Sequence, residues 1–298
     1  MARQNRILTI LQGLFVTLLW SSSYVLIKIG LSDISPLFFA TVRYSIAFLV
    51  LFLLNVVKSG VNLRLERRVL IYLIAVGITG YTLGQGLQFV GLSLLPAVSV
   101  TFLLNFTPLF VIVLETIFLK VKISKTQLLG IILALVGAYV YLPIRFSPQE
   151  VLGIAIVLLS GMAWAAYMVL TRSFQKNGKL SSLAFTTLTM GVGCLGLVAL
   201  TLFFEGFRSI GPQSWTIILW MSLVNTALAF FVWNRTLRLL RAYELSILQN
   251  TMLAQISVLA YVFLGEEITG RMIVGIILVL IGVSLVQIRK KEIRNHTQ

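Results

Sequence analysis

Apolar runs of about 20 residues recur along this 298-residue chain, and each is long enough to carry an α-helix across roughly 30 Å of hydrocarbon. Composition agrees: 58% of the residues are hydrophobic, 11% are charged and the mean hydropathy is +0.99. A soluble fold of this length has no interior large enough to hide that much apolar surface. The runs predict spans at 7–27, 36–57, 69–90, 94–119, 126–143, 151–171, 181–204, 214–234, 243–264 and 270–288. The first follows Arg3 and Arg6 as a secretory leader would, but it is too long and lacks a small-residue exit, so it reads as an uncleaved helix.

Charge assigns sidedness. A net charge of +15 would suggest nucleic acid as a partner if the basic residues formed one patch, yet they alternate from loop to loop. Nineteen of the 24 Lys and Arg residues fall on one side, among them Arg64, Arg67, Arg68, Lys120, Lys122, Lys176, Arg235 and Lys290. Opposite lie only Lys28, Arg145, Arg208 and Arg271, with Arg43 inside a span. The positive-inside rule then places both termini in the cytoplasm, and ten spans give this alternation. Cys194 is the sole cysteine and His296 the sole histidine. They cannot supply a disulfide or a Cys/His metal site, and no metal or other cofactor is expected.

The chain also repeats itself. At an offset of 145, residues 97–140 align with 242–285 at 14 of 44 identities, including Asn105/Asn250, Gly130/Gly275 and Gly137/Gly282. At an offset of 144, Trp20 meets Trp164. Each half, 1–145 and 146–298, holds five predicted spans, an odd number, so the second half enters the membrane upside down relative to the first. The expected fold is all-α, ten transmembrane helices in two inverted five-helix repeats forming one transport domain, with a site near the midplane between the halves.

Several motifs resemble those of the drug/metabolite transporter superfamily, specifically the EamA-like bacterial metabolite and amino-acid exporters. They are Trp20-Ser-Ser-Ser-Tyr-Val-Leu-Ile-Lys28, Pro36 followed by Ala40-Thr-Val-Arg43-Tyr, Asn105-Phe-Thr-Pro108, and Leu264-Gly265-Glu266. The resemblance covers nearly the whole chain. Two positions depart from it: Leu119-Lys120-Val121 stands where the family often has Leu-Gly-Glu, and Leu253 occupies the position that repeats Pro108. The resemblance implies export of amino acids, their derivatives or other small metabolites.

The candidate substrate-binding residues are those whose polarity is costly at membrane depth. Arg43 lies seven residues past Pro36, about 10 Å into the bilayer, and must face protein or a wet cavity. Tyr81, Gln85 and Gln88 recur at i, i+4 and i+7 on one α-helical face, and Asn225 and Trp233 lie on the matching face of the eighth span. Trp20 with Tyr24, and Trp164 with Tyr167 and Ser160, form aromatic faces deeper than an interfacial belt. Asn105 and Asn250 stand at equivalent points of the fourth and ninth spans. Glu115, the one acid well inside a span, is expected near the inner interface, paired with Lys120 or Lys122. Gly191-Val-Gly-Cys-Leu-Gly196 matches a dinucleotide fingerprint only in letters, because no strand precedes it; close helix packing is the better account.

Catalysis would need clustered carboxylates, metal ligands or a nucleophile–base pair. The spans offer none, so an enzyme is not expected. The expected function is an inner-membrane secondary transporter for a small polar metabolite, with a membrane channel as the alternative. Its partners are that substrate, a proton or counter-substrate, and the lipid bilayer; as to assembly, a monomer or weak homodimer is expected.

Overall fold

The computed structural model describes residues 2–59, 66–119, 124–141, 147–176, 180–207, 209–240 and 242–287. Among them there are helices and no strand. Seven stretches are long and apolar enough to cross a membrane: Ile7–Gly30, Pro36–Lys58, Arg67–Leu94, Ala97–Leu114, Pro148–Gln175, Ser182–Phe204 and Pro212–Leu237. Two further apolar helices, Lys125–Tyr141 and Gly270–Leu285, are shorter than the roughly 20 residues a straight crossing asks for, and a third apolar stretch, Leu248–Leu264, belongs to a helix that begins at Ala242. The chain is a multi-span helical membrane protein.

In chain order the rods are α1 (Ala2–Gly30), α2 (Pro36–Ser59), α3 (Arg67–Leu94), α4 (Ala97–Leu104 continued by Thr107–Leu119) and α5 (Lys125–Tyr141). They continue as α6 (Pro148–Lys176), α7 (Ser182–Phe204), α8 (Pro212–Trp220 through Met221–Leu228 to Ala229–Leu239), α9 (Ala242–Leu264) and α10 (Gly270–Gln287). α5 packs most extensively on α10, α2 on α7, α1 on α9 and α8, and α6 on α3 and α4. Polarity is inside out, as a lipid solvent demands. Val57, Phe203 and Tyr139 are more than 80% exposed, whereas Thr17, Ser21, Thr186, Thr189, Thr201, Asn225 and Asn234 are sealed inside. Many buried hydroxyls are satisfied within their own helices, as where Thr186 Oγ1 donates to Ser182 O at 2.7 Å and Ser222 Oγ to Ile218 O at 2.7 Å, and others cross to a neighbour, as Ser160 Oγ does to Gly84 O.

Glycine permits the closest contact, between α5 and α10. A Cβ on Gly282 would lie 2.6 Å from both Gly130 O and Ala134 N, and one on Gly137 would lie 2.9 Å from Gly275 O. The glycines that align in the repeat thus meet crosswise, Gly130 with Gly282 and Gly137 with Gly275. Gly80 and Gly196 behave similarly: a Cβ would come 2.2 Å from the Tyr167 ring at Gly80 and 2.3 Å from Thr82 Oγ1 at Gly196. Small residues here let helices approach at backbone distance, where van der Waals contact holds membrane helices together.

Three interruptions of α-helical geometry position the interior. α3 winds as π-helix over Ile78–Gln85 and α8 does so over Met221–Leu228, each a wider i→i+5 turn that resets the faces on either side. α4 breaks at Asn105–Phe106. Pro108 has no N–H to return to Leu104 O, and Thr107 Oγ1 takes that carbonyl instead at 2.6 Å. α9 carries Leu253 at the matching position and runs unbroken, so the kink belongs to the first half alone.

Two carboxylates complete the frame. Glu205, just past α7, accepts the free N–H groups of Leu37 (3.1 Å) and Phe38 (2.8 Å) at the start of α2. Glu266, just past α9, does the same for Ala97 and Val98 at the start of α4. Gly206 and Gly265 beside them take φ of +74° and +66°, a region that costs a side chain dearly and glycine little. Anionic oxygen at a helix N-terminus satisfies orphan donors and complements the helix dipole.

Candidate functional site

One buried cavity lies where α1, α2, α3 and α4 meet α6 and α9. Its walls include Trp20, Arg43, Gln85, Gln88 and Asn105 from the first half of the chain and Trp164 and Asn250 from the second. These seven residues, singled out from sequence by polarity or depth, converge on one space. The remaining four candidates, Tyr81, Tyr167, Asn225 and Trp233, are absent from its lining and wholly buried in the packing behind it.

The reasons are local. Tyr81 and Gln85 both fall in the π-helical stretch of α3 and both meet Tyr44, but only Gln85 lines the cavity. Gln85 reaches the cavity, where its Oε1 accepts the Tyr44 hydroxyl at 2.8 Å. Tyr81 instead packs edge-on to Tyr167, with ring centroids 5.7 Å apart. The Tyr167 hydroxyl donates to Asn234 Oδ1 at 2.8 Å, and Asn234 Nδ2 to Thr186 Oγ1 at 2.8 Å. Asn225 Nδ2 is held by Leu19 O, Ser22 Oγ and Ser23 Oγ on α1 at 2.6, 3.0 and 2.9 Å. Trp233 supports the Trp20 ring from behind at a centroid distance of 4.8 Å.

The cavity wall itself is aromatic and amide-rich. Trp20 meets Trp164 edge to face at 5.8 Å, and Trp164 stacks on Tyr167 at 4.6 Å. Trp164 Nε1 lies 3.5 Å from Gln249 Oε1, while Trp20 Nε1 has no partner. Asn105 sits at the break in α4; its Nδ2 donates to Thr101 O at 2.9 Å and its Oδ1 is unpartnered and buried. Arg43 is 2% exposed. Its Nε donates to Thr226 Oγ1 at 2.6 Å, its Nη2 to Ser23 Oγ and Asn225 O at 3.4 and 3.3 Å, and its guanidinium lies 5.5 and 5.7 Å from the Tyr44 and Phe89 rings. Ser23 and Gln249 also line the space. Their signals were Ser23's one-turn spacing from Trp20 and Gln249's adjacency to Asn250. The Glu115 side chain, expected at the inner interface, and that of Ser246 lie outside the described residues.

The space is about 50 Å³, far below the roughly 300 Å³ at which ordinary ligand pockets begin. Two of its wall atoms, Trp20 Nε1 and Asn105 Oδ1, have no partner. Among the described residues no group of three or more His, Cys, Asp and Glu side chains could hold a metal.

The family model described as the EamA-like transporter family matches residues 7–142 and again 151–288. The chain belongs to that family. It is a transporter by family, not an enzyme, and a small molecule is therefore its cargo. Among the curated relatives, the uncharacterized transporter YyaM of Bacillus subtilis (strain 168) is 27% identical over 270 residues, covering 88% of each chain. The S-adenosylmethionine/S-adenosylhomocysteine transporter of Chlamydia trachomatis serovar L2 is 31% identical over 123 residues, 41% of this chain and 37% of that one. One solved crystal structure of a protein superposes with a TM-score of 0.68 at 18% identity over 93% of this chain and 97% of that chain, a likeness of fold.

Proposed function

We propose that this EamA-like protein is an inner-membrane secondary transporter that exports or exchanges a small polar metabolite, an amino acid or related compound, by alternating access. The observation that carries the reading is the narrow polar cavity, whose aromatic and amide walls come from both halves of the chain and include the unpartnered Trp20 Nε1 and Asn105 Oδ1. A permanent pore would leave a continuous wet path. A space of about 50 Å³ walled by packed aromatics is too narrow for such a path, and this favours a carrier over a channel.

The architecture we propose is ten spans in two inverted repeats, 1–145 and 146–298, with both termini cytoplasmic and the protein a monomer or weak homodimer. Support comes from the two matched family segments, from π-helical stretches at Ile78–Gln85 and Met221–Leu228, and from the crosswise glycine contacts of α5 and α10. Three equivalent pairs, α2 with α7, α4 with α9 and α5 with α10, pack on one another, as helices close to a two-fold axis between the halves would.

Counterflow in liposomes tests the reading. Substrate loaded inside accelerates uptake by a carrier and leaves flux through a pore unchanged. The substrate comes from a melting-temperature screen against amino acids, nucleosides and S-adenosylmethionine, the last suggested by the chlamydial relative's cargo, because ligand that binds only the folded state raises its stability. Uptake that ignores the internal load would sink the carrier.

A further inference from the structure

Arg43 is a buried cation whose described partners are all neutral. Its hydrogen bonds go to two hydroxyls and a backbone carbonyl, and two of the three are 3.3 Å or longer, weak for a charged donor. The described carboxylates with identified partners are engaged elsewhere: Glu205 and Glu266 by helix starts, Asp33 by Ser214 and Ser32, and Glu150 by Ser147. A guanidinium inside a bilayer protein without an anion is expensive, and an anion beside it recovers much of that cost. The cavity offers a place for one. Arg43 lines the cavity together with Trp20, one helical turn from Ser23 on α1, and the Trp20 indole N–H is buried with no acceptor. An acceptor without a donor, Asn105 Oδ1, lines the same space.

We infer that Arg43, with the Trp20 N–H, is the receptor for a carboxylate on the transported metabolite, and that Asn105 Oδ1 takes an N–H from the same molecule. This rests on the cavity being the transport site. Arg43 would then select a charge class, and the surrounding aromatics and amides the individual compound. One guanidinium and one indole N–H in so small a space suit a planar monoanion, which accepts two parallel hydrogen bonds, better than a dianion.

The test uses acetate and its neutral isostere acetamide, both small enough to enter without the rest of a substrate. The purified full chain is melted at up to about 100 mM of each, with ionic strength held by sodium chloride, whose monatomic anion cannot accept two parallel hydrogen bonds. Acetate should raise the melting temperature by about 2 °C or more and acetamide should not. Arg43→Gln should erase the response. Trp20→Phe keeps an aromatic ring and removes the N–H, and should raise the half-saturating acetate concentration at least about threefold; it decides the matter if Arg43→Gln does not fold. Equal shifts from both probes, no shift from either, or an acetate response intact in either variant would overturn the inference. An acetate response with no counterflow would leave the anion site standing and remove the transport reading; counterflow without the response would do the reverse.

Discussion

Glu266 Oε1 accepts the Ala97 N–H at 2.7 Å while Oε2 of the same carboxylate accepts Val98 N–H at 3.1 Å, across 169 residues of sequence. The end of α9 is thereby clipped to the start of α4. Hydrogen bonds to a charged acceptor contribute about 1.5–3 kcal/mol, so Glu266→Ala should lower stability by about 2 kcal/mol or more. Glu267→Ala, next to it and exposed, should change stability by less than about 0.5 kcal/mol. Melting of both variants in the same detergent is the check. Equal melting temperatures would mean that water replaces the clip without loss.

The α5–α10 contact leaves no room for a methyl group at Gly282, because the neighbours at 2.6 Å are backbone atoms that cannot rotate away as a side-chain tip can. Gly282→Ala should force the helices apart and cost roughly 1–3 kcal/mol. Gly270, with nothing within 4 Å of an added Cβ, is the control. If Gly282→Ala and Gly270→Ala melt together, the helices are not pressed to backbone contact.

Asn105 and Asn250 face the cavity from α4 and α9. If they hold the polar part of a substrate, replacing either by Leu leaves a ligand group unpaired at a cost of about 1–3 kcal/mol. We expect Asn105→Leu and Asn250→Leu each to weaken binding of the screened ligand at least about fivefold. Without ligand both should melt within about 3 °C of the parent, Asn105→Leu losing only the bond from Nδ2 to Thr101 O within its own helix. A large ligand-free loss with unchanged affinity would instead mark them as ties between helices.

Sidedness is open to labelling. In a Cys194→Ala background, we expect a cysteine at Gln149 to react with an impermeant maleimide from outside cells, and one at Lys58 to react only after permeabilisation. Both positions are exposed. Reaction of both from the same side would remove the odd-numbered halves and with them the inversion.

Much of this protein was legible before any coordinates. The bilayer as solvent, the helical class and the Asn105/Asn250 and glycine pairings follow from run length, loop charge and self-similarity, and the transporter family from the resemblance of motifs such as Trp20–Lys28 and Asn105–Pro108. These properties are local or one-dimensional: hydrocarbon sets how long an apolar run must be, whatever the runs later touch. Trp20, Arg43, Gln85, Gln88, Trp164 and both asparagines could be singled out because polarity at membrane depth must turn inward.

Tertiary structure decided which inward-facing groups meet. Tyr81 and Gln85 are four residues apart in the same stretch of α3, yet the rings of Tyr167 and Phe230 enclose Tyr81 while Gln85 lines the cavity. Tyr167, Asn225 and Trp233 are as polar and as deep as their neighbours, yet partners on other helices claim them. Glu205 and Glu266 look like loop acids until α2 and α4 bring their free N–H groups alongside. Each of these choices depends on how one rod is rotated against another. That rotation is settled by packing among all the helices at once, to which a single stretch of sequence contributes only its own face.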